Sequence, residues 1–273
     1  MKKKYIVTLA FLGLFSKILL AQVSPLEGNW ELEFAKSDEF SADVLDRNKW
    51  GHQLWFDCSK EVFLSENNVT VENGFLKIEV KEEVVRISPE HLRCYNTIYY
   101  KTAGALISNF EVGADSYIEV RAKLVDVRAD VTSAIWISDE PHKDKNPNIE
   151  IDIIETLESR SKPKHFTSTM HVWYRDQDNK SSGHIRLDGI ERWMKRKVSR
   201  DFHVFGLERR GDFIRLYLNG KIYWERNMLD FPEFVDKPRK LIINVEGHNG
   251  TPKKGNYPQE LLVDYIRVYK FVN

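Results

Sequence analysis

The sequence lacks the features that would mark several kinds of protein. Its 273 residues hold two cysteines, so neither a zinc-type cluster nor a dense disulfide framework can be built. Neither charge is in excess: Lys and Arg together number 41, and so do Asp and Glu. That balance excludes wholesale electrostatic binding to nucleic acid or an anionic membrane, and leaves only local charge to recognise a partner. Past the N-terminal segment no apolar run is long enough to cross a bilayer. Convincing helical periodicity is missing there too, as are internal repeats, low-complexity tracts and Pro/Gly/Ser-rich linkers. These absences leave a single unbroken domain, read here as residues 22–273, monomeric and without membrane or nucleic-acid partners.

The N-terminal stretch "MKKKYIVTLAFLGLFSKILLAQ" reads as an export leader over residues 1–21. Lys2, Lys3 and Lys4 form its charged start, an apolar run follows, and Ala21 offers a small residue for cleavage. A membrane anchor fits less well because the run is short and Lys17 interrupts it. The mature chain is therefore expected to be secreted or periplasmic. Export permits a bridge between Cys58 and Cys94, the other reading being two buried thiols.

Period-two alternation is what the chain has in quantity. "NVTVENGFLKIEV" alternates on both sides of Asn73-Gly74, and "FIRLYLNGKIYWE" does so around Asn219-Gly220. Asn-Gly is the strongest short hairpin signal. "YIEVRAKLV", "FHVFGLE", "KLIINVE" and "LLVDYIRVYK" supply further strands. The nearest helical candidate, "GIERWMKRKVSRDF", is expected to be a helical turn or a loop. Glu82–Asn96 and Ser159–Lys164 are expected to be loops. About a dozen strands in one domain predict an all-β, jelly-roll sandwich. Seven Trp, eleven Tyr and fifteen Phe suit such a core, and also suit stacking against sugars.

One strand breaks the rule that buried strands are apolar. "NPNIEIDIIETLES" places Glu150, Asp152 and Glu155 among isoleucines. Residues two apart share a face, so Glu150 and Asp152 point one way and Ile151 and Ile153 the other. Simple alternation would then send Glu155 into the core. A β-bulge at Ile153-Ile154 restores it to the acidic face. Four effective steps separate the two glutamate backbones by roughly 13 Å, a gap that two glutamate arms can largely close across a concave sheet. Retaining glycosidases hold their two carboxyls about 5–5.5 Å apart, one as proton donor and one as nucleophile. Crowding of three acids raises at least one of their pKa values. The bland alternative is a half-solvated strand whose acids face water.

The chain also resembles glycoside hydrolase family 16 over nearly its whole mature length. The resemblance is carried by "SDEFSADVLDRNKW", "NVTVENGFLKIEV", "TAGALISNFEVGADSYIEVRAKL", the bulged "EIDIIE", "DFHVFGLERRGDFIRLYLNGK" and "LLVDYIRVYK", in family order. It implies a jelly roll (concanavalin-like) with a substrate cleft across its concave face. It further implies Glu150 as nucleophile, Glu155 as acid/base, and Asp152 hydrogen-bonded to Glu150. A structural calcium is implied at Glu39 and Asp264, whose alternative is plain surface carboxylates; no cofactor is expected for catalysis.

Substrate class rests on shorter segments. "RADVTSAIWIS" lacks the Gly-Trp-Pro-like segment of the family's glucanase branch, and with "STMHVWYRD" it looks more like the agarase, porphyranase and κ-carrageenase branch. The expected activity is endo-hydrolysis of a red-algal β-galactan, agar or porphyran, sulfated or not. The alternatives are a laminarin-type endo-β-1,3-glucanase and a non-catalytic sugar-binding jelly roll. Alternation puts His171, Trp173 and Arg175 on one face, read as the cleft, with the opposite facing as the alternative. Trp55 and Trp136 are further candidate platforms. A sulfated substrate would call for Arg, and Arg86, Arg93, Arg128, Arg160 and Arg175 lie in or beside the candidate loops.

Overall fold

The computed structural model describes residues 26–88, 94, 96–157, 160–247 and 257–273. The expected leader and Arg93 lie outside the described residues. No helix among the described residues is long and apolar enough to cross a membrane.

Two sheets face each other, as the jelly-roll expectation requires. The outer one has eleven strands, running from Lys221–Asn227 through Phe213–Leu218, His203–Arg210, Ser116–Lys123, Gln259–Phe271, Phe75–Arg86, Ile98–Ala103 and Val62–Leu64 to Cys58–Ser59. Trp30–Leu32 and Val69–Glu72 complete it by pairing with Gln259–Phe271 and Phe75–Arg86. The inner sheet has seven, in the order Ser181–Trp193, His165–Arg175, Asn148–Glu155, Thr132–Ser138, Lys240–Glu246, Ala105–Ser108, Trp50–Gly51. Alternation explains the layering. Ile151, Ile153 and Ile154 of the acidic strand and Met170 and Val172 of its neighbour are buried in one cluster with Val120, Phe205, Leu207 and Val268 of the outer sheet. Each such side chain contributes roughly 1.5–3 kcal/mol by leaving water.

Both Asn-Gly pairs form hairpin turns. Asn73 and Gly74 have φ of 54° and 78°, and Asn219 and Gly220 have 52° and 75°. Two successive positive φ values are what a type I′ turn needs, and Asn and Gly tolerate them best.

Two expectations need correction. Gly189–Trp193 of "GIERWMKRKVSRDF" is neither helix nor loop but the end of the edge strand Ser181–Trp193, and the following residues turn. Pairing with His165–Arg175 over eleven residue pairs satisfies this stretch, so sheet contacts override its local ambiguity. Glu82–Arg86 likewise continues the long strand Phe75–Arg86.

Cys58 and Cys94 are joined, with Cα atoms 5.4 Å apart, tying the start of the outer sheet to a later segment. Glu39 accepts two bonds from Arg267 at 2.7 and 3.1 Å, and Asp264 accepts one from Arg121 at 2.6 Å.

Candidate active site

The bulge is present where the alternation demanded it. Ile135 pairs with Ile154 and Trp136 with Asp152, which leaves Ile153 without a partner on that side. The other neighbour shows the same slip between Asp152 and Glu155. Ile153 and Ile154 both turn into the core, and Glu155 returns to the face of Glu150 and Asp152.

The three acids line one open cleft of about 460 Å³ on the inner sheet. Trp55, Trp136, His171, Trp173 and Arg175 line it as well. Met170 and Val172 are buried, so the strand between them turns His171, Trp173 and Arg175 outward. Trp136 forms the floor, its indole N–H donating to Asn244 Oδ1 at 2.9 Å, while Trp55 meets it edge-on with ring centroids 5.5 Å apart. Trp55 also borders a second hollow of about 580 Å³ with Gln53, Asp139, Lys145 and Lys240, so the groove continues past the acids.

Asp152 is held from the next strand. Thr169 Oγ1 donates to Asp152 Oδ2 at 2.5 Å, and His171 Nε2 lies 3.3 Å from the same oxygen. Thr169 also stands 3.5 Å from Glu155 Oε2, but its single hydroxyl proton serves the shorter contact. Among the described residues Asp152 accepts from Thr169, with the His171 ring beside the same oxygen and bonded to the Thr169 hydroxyl at 3.1 Å, whereas the resemblance implied Glu150 as its partner. A second carboxylate can donate nothing unless protonated, whereas a hydroxyl and a ring N–H always can. His171 Nδ1 in turn sits 2.8 Å from His184 Nε2. When a neutral His171 donates from Nε2 to the Thr169 hydroxyl, Nδ1 accepts and His184 is the donor of that bond. His184 is stacked on Trp173 at 3.8 Å, with 16° between the rings.

Burial dominates the electrostatics. It pushes the Glu150 carboxyl well above its usual range, with Asp152 and then Glu246 adding like-charge repulsion. The indole N–H of Trp173 favours ionised Glu150 but stays outside hydrogen-bond geometry. Glu155 is raised by burial, then by Asp152, Glu246 and Glu150, with Thr169 acting weakly the other way. Glu246 is itself pushed up to about 7, by burial and then Asp152, against a 3.3 Å bond from Asn244 Nδ2. Such a group of acids cannot all ionise near neutrality, so at least one holds a proton beside an ionised neighbour. A proton donor and a nucleophile for acetal chemistry need that division. Glu150, Asp152 and His171 also each offer one metal-ligating atom within 4.8 Å of one another. Asp152 and His171 are already bonded to Thr169 and His184.

Sequence reasoning missed His184 and Glu246, which line the cleft, Thr169 and Asn244, which bond its lining residues, and Arg186 on the edge strand. Arg186 lies opposite His171 on the edge strand. A register slip at Leu187 puts Arg186 and Gly189 on the same face, and a Cβ on Gly189 would come within 2.8 Å of the Arg186 guanidinium. The Arg186 guanidinium makes no hydrogen bond or ion pair among the described residues. Of the arginines singled out from sequence, Arg175 reaches the cleft, while Arg128 is committed to Asp126.

The comparisons with known proteins agree with this geometry. The family model for β-porphyranases A–D, glycoside hydrolase family 16 domain, matches residues 30–271. β-Porphyranase D of Zobellia galactanivorans is 29% identical over 195 residues, covering 67% of this chain and 44% of that protein, so the chain spans less than half of its length. The β-glucanase of Rhodothermus marinus is 26% identical over 269 residues, covering 89% of this chain and 86% of that one. The laminarinase catalytic domain of Thermotoga maritima MSB8 superposes with a TM-score of 0.70 at 26% identity, over 90% of this chain and 100% of the other. The chain belongs to glycoside hydrolase family 16, within the branch that the β-porphyranase model describes.

Proposed function

We propose that the protein is an exported, retaining endo-hydrolase of a red-algal β-galactan of agar or porphyran type, able to meet a sulfate substituent. In the first step an ionised Glu150 attacks the anomeric carbon. The bond to the leaving sugar breaks, and Glu155 gives its proton to the departing oxygen. In the second, Glu155 takes a proton from water, whose oxygen displaces Glu150 from the same carbon and regenerates both acids. Asp152, held by Thr169 with His171 beside it, stands between the two glutamates and raises the pKa of both. The continuous groove on both sides of Trp55 suits a polymer threaded through rather than capped at its end.

The observation that supports a charged galactan is the cationic flank. Arg186 carries an uncommitted guanidinium beside His171, and Arg175 stands by Trp173. A guanidinium fork matches a sulfate or carboxylate oxygen pair better than it matches a hydroxyl. A laminarin-type β-1,3-glucan is the second reading, favoured by the β-glucanase and laminarinase similarity.

Reducing-end release from porphyran, agarose, κ-carrageenan and laminarin, with Glu150→Gln as control, tests both. Cleavage of one galactan, lost in the variant, is expected. Cleavage of laminarin alone refutes the galactan reading, and binding without cleavage would make the protein a sugar-binding jelly roll.

A further inference from the structure

We propose that Trp193 is a remote sugar-binding platform, at which a unit of the bound polysaccharide beyond those at the acids stacks. The proposal rests on the glycosidase reading of the cleft, and not on which polymer is cut. Trp193 is 60% exposed, the one tryptophan among the large apolar side chains left open to solvent. A single exposed apolar ring is ordinary by itself, so what matters is its place in the sheet and what holds it.

Its face of the sheet follows from pairing. Trp193 lies opposite His165, and His165 has the same parity as Thr167, Thr169 and His171 along a regular strand, so both project on the cleft side. Glu155 pairs with Thr167, and Thr167 with Glu191. Trp193 therefore stands two strands across and one row further along from Glu155. At about 4.8 Å between strands and 3.4 Å per residue this is about 12 Å between backbones, within reach of a short oligosaccharide.

The ring is held in place from below. His165, only 2% exposed, packs against it with centroids 4.9 Å apart and 50° between the planes. His165 Nε2 lies 3.3 Å from Glu191 Oε2, so the carboxylate is drawn to the same spot. A rigid aromatic face beside a carboxylate oxygen is what a pyranose needs: C–H groups against the ring, hydroxyls to the acceptor. Few rotatable bonds make a tryptophan cheap to order.

Position explains why such a platform would be there. Ser181–Trp193 is the edge strand, so a polymer crossing the inner sheet must leave the groove over it. That rim has two ring stations. One is His184 stacked on Trp173, level with Asn148 and one row beyond Glu150; the other is Trp193 on His165, on the Glu155 side. The second lies outside the cleft that holds the acids.

The test uses Glu150→Gln protein, which binds without turnover, in native gels cast with porphyran, agarose, κ-carrageenan or laminarin. At least one polymer is expected to retard it. Adding Trp193→Ala should weaken that retardation about three- to tenfold, and Trp193→Phe should restore most of it. Disaccharides of the same polymer, too short to reach, should bind all three proteins alike. Equal retardation of all three proteins overturns the proposal, and so does an equal loss on disaccharides. Retardation by laminarin alone, still dependent on Trp193, would sink the galactan reading and leave the platform standing. If no gel retards the Glu150→Gln protein, both fall.

Discussion

Glu246→Gln should make the protein more stable, by an amount that grows as pH rises from 4.5 to about 7 and is full above it. Glu246 opens onto the cleft but is otherwise enclosed by protein, and burial followed by the nearby Asp152 pushes its carboxyl from 4.5 to about 7. A raised carboxylate works against folding once it must ionise. Below the unfolded value both states carry the proton and nothing is lost. As pH climbs from 4.5 to about 7 the unfolded chain ionises while the folded carboxyl keeps its proton, so stability is lost across that window, and the loss is complete once the folded group ionises above about 7. At about 1.36 kcal/mol per pH unit, the interval from 4.5 to about 7 corresponds to about 3 kcal/mol. Screening through the cleft mouth and sharing of charge with the other acids reduce this to about 2 kcal/mol.

Glutamine keeps the shape and can still bond Asn244, which in turn holds Trp136. Urea unfolding at pH 4.5 and pH 8 measures the difference. The variant should match the wild type at pH 4.5 and exceed it by about 2 kcal/mol at pH 8, with unchanged m-values. Activity gives an independent readout. Glu246 repels charge on both Glu150 and Glu155, so its removal should move the alkaline limb of kcat/KM toward acid. An equal stability difference at both pH values, or a wild type more stable at pH 8, would refute the reasoning. A stabilising change inside the cleft would also show that the acids are held there against the preference of the fold.

Three other outcomes follow from contacts at or near the cleft. Thr169→Val removes the donor to Asp152 Oδ2, a bond to a charged group worth about 1.5–3 kcal/mol, so kcat/KM should fall about ten- to hundredfold, with Thr169→Ser near normal. Inserting one alanine after Ile154 shifts the alternation and turns Glu155 toward the core; polysaccharide cleavage should drop at least about a hundredfold and the thermal midpoint should fall, whereas deleting Ile153 leaves plain alternation with Glu155 on the acidic face, and retained activity in the insertion variant would mean that register does not set the face. Cys58→Ser with Cys94→Ser opens a link across 36 residues and should lower stability in urea by about 3–4 kcal/mol on the loop-entropy view.

Legibility from sequence followed the range of the interaction. The hairpins at Asn73-Gly74 and Asn219-Gly220 and the bulge in the acidic strand are local, because dihedral preference and period-two alternation act over a few residues. His171, Trp173 and Arg175 could be put on one face by alternation alone, but which face was the cleft depended on where Met170 and Val172 found a core. The edge strand resisted reading because one side of it has no neighbour. Ser181–Trp193 need not bury a full apolar face, so its polar and glycine positions blur the alternation, and the slip at Leu187 reverses it midway. His184, Arg186 and Trp193 were lost with it.

Glu246 was missed for a different reason, and its case is the more instructive. In "KLIINVE" the polar residues Asn244 and Glu246 are two apart, the same signal that marked Glu150 and Asp152. What alternation alone does not state is that Lys240–Glu246 pairs with Thr132–Ser138, bringing Asn244 opposite Ala134, itself opposite Glu155. That register depends on contacts between segments about a hundred residues apart, set by the whole core. Two polar-alternating strands in a sheet whose other faces are apolar have one economical arrangement: both polar rows on the same side. Acids separated this far in sequence then share one desolvated cleft, and each raises the pKa of the others. The pH behaviour of the site is thus a property of sheet order, and a change in any one of these carboxylates should be felt at all of them.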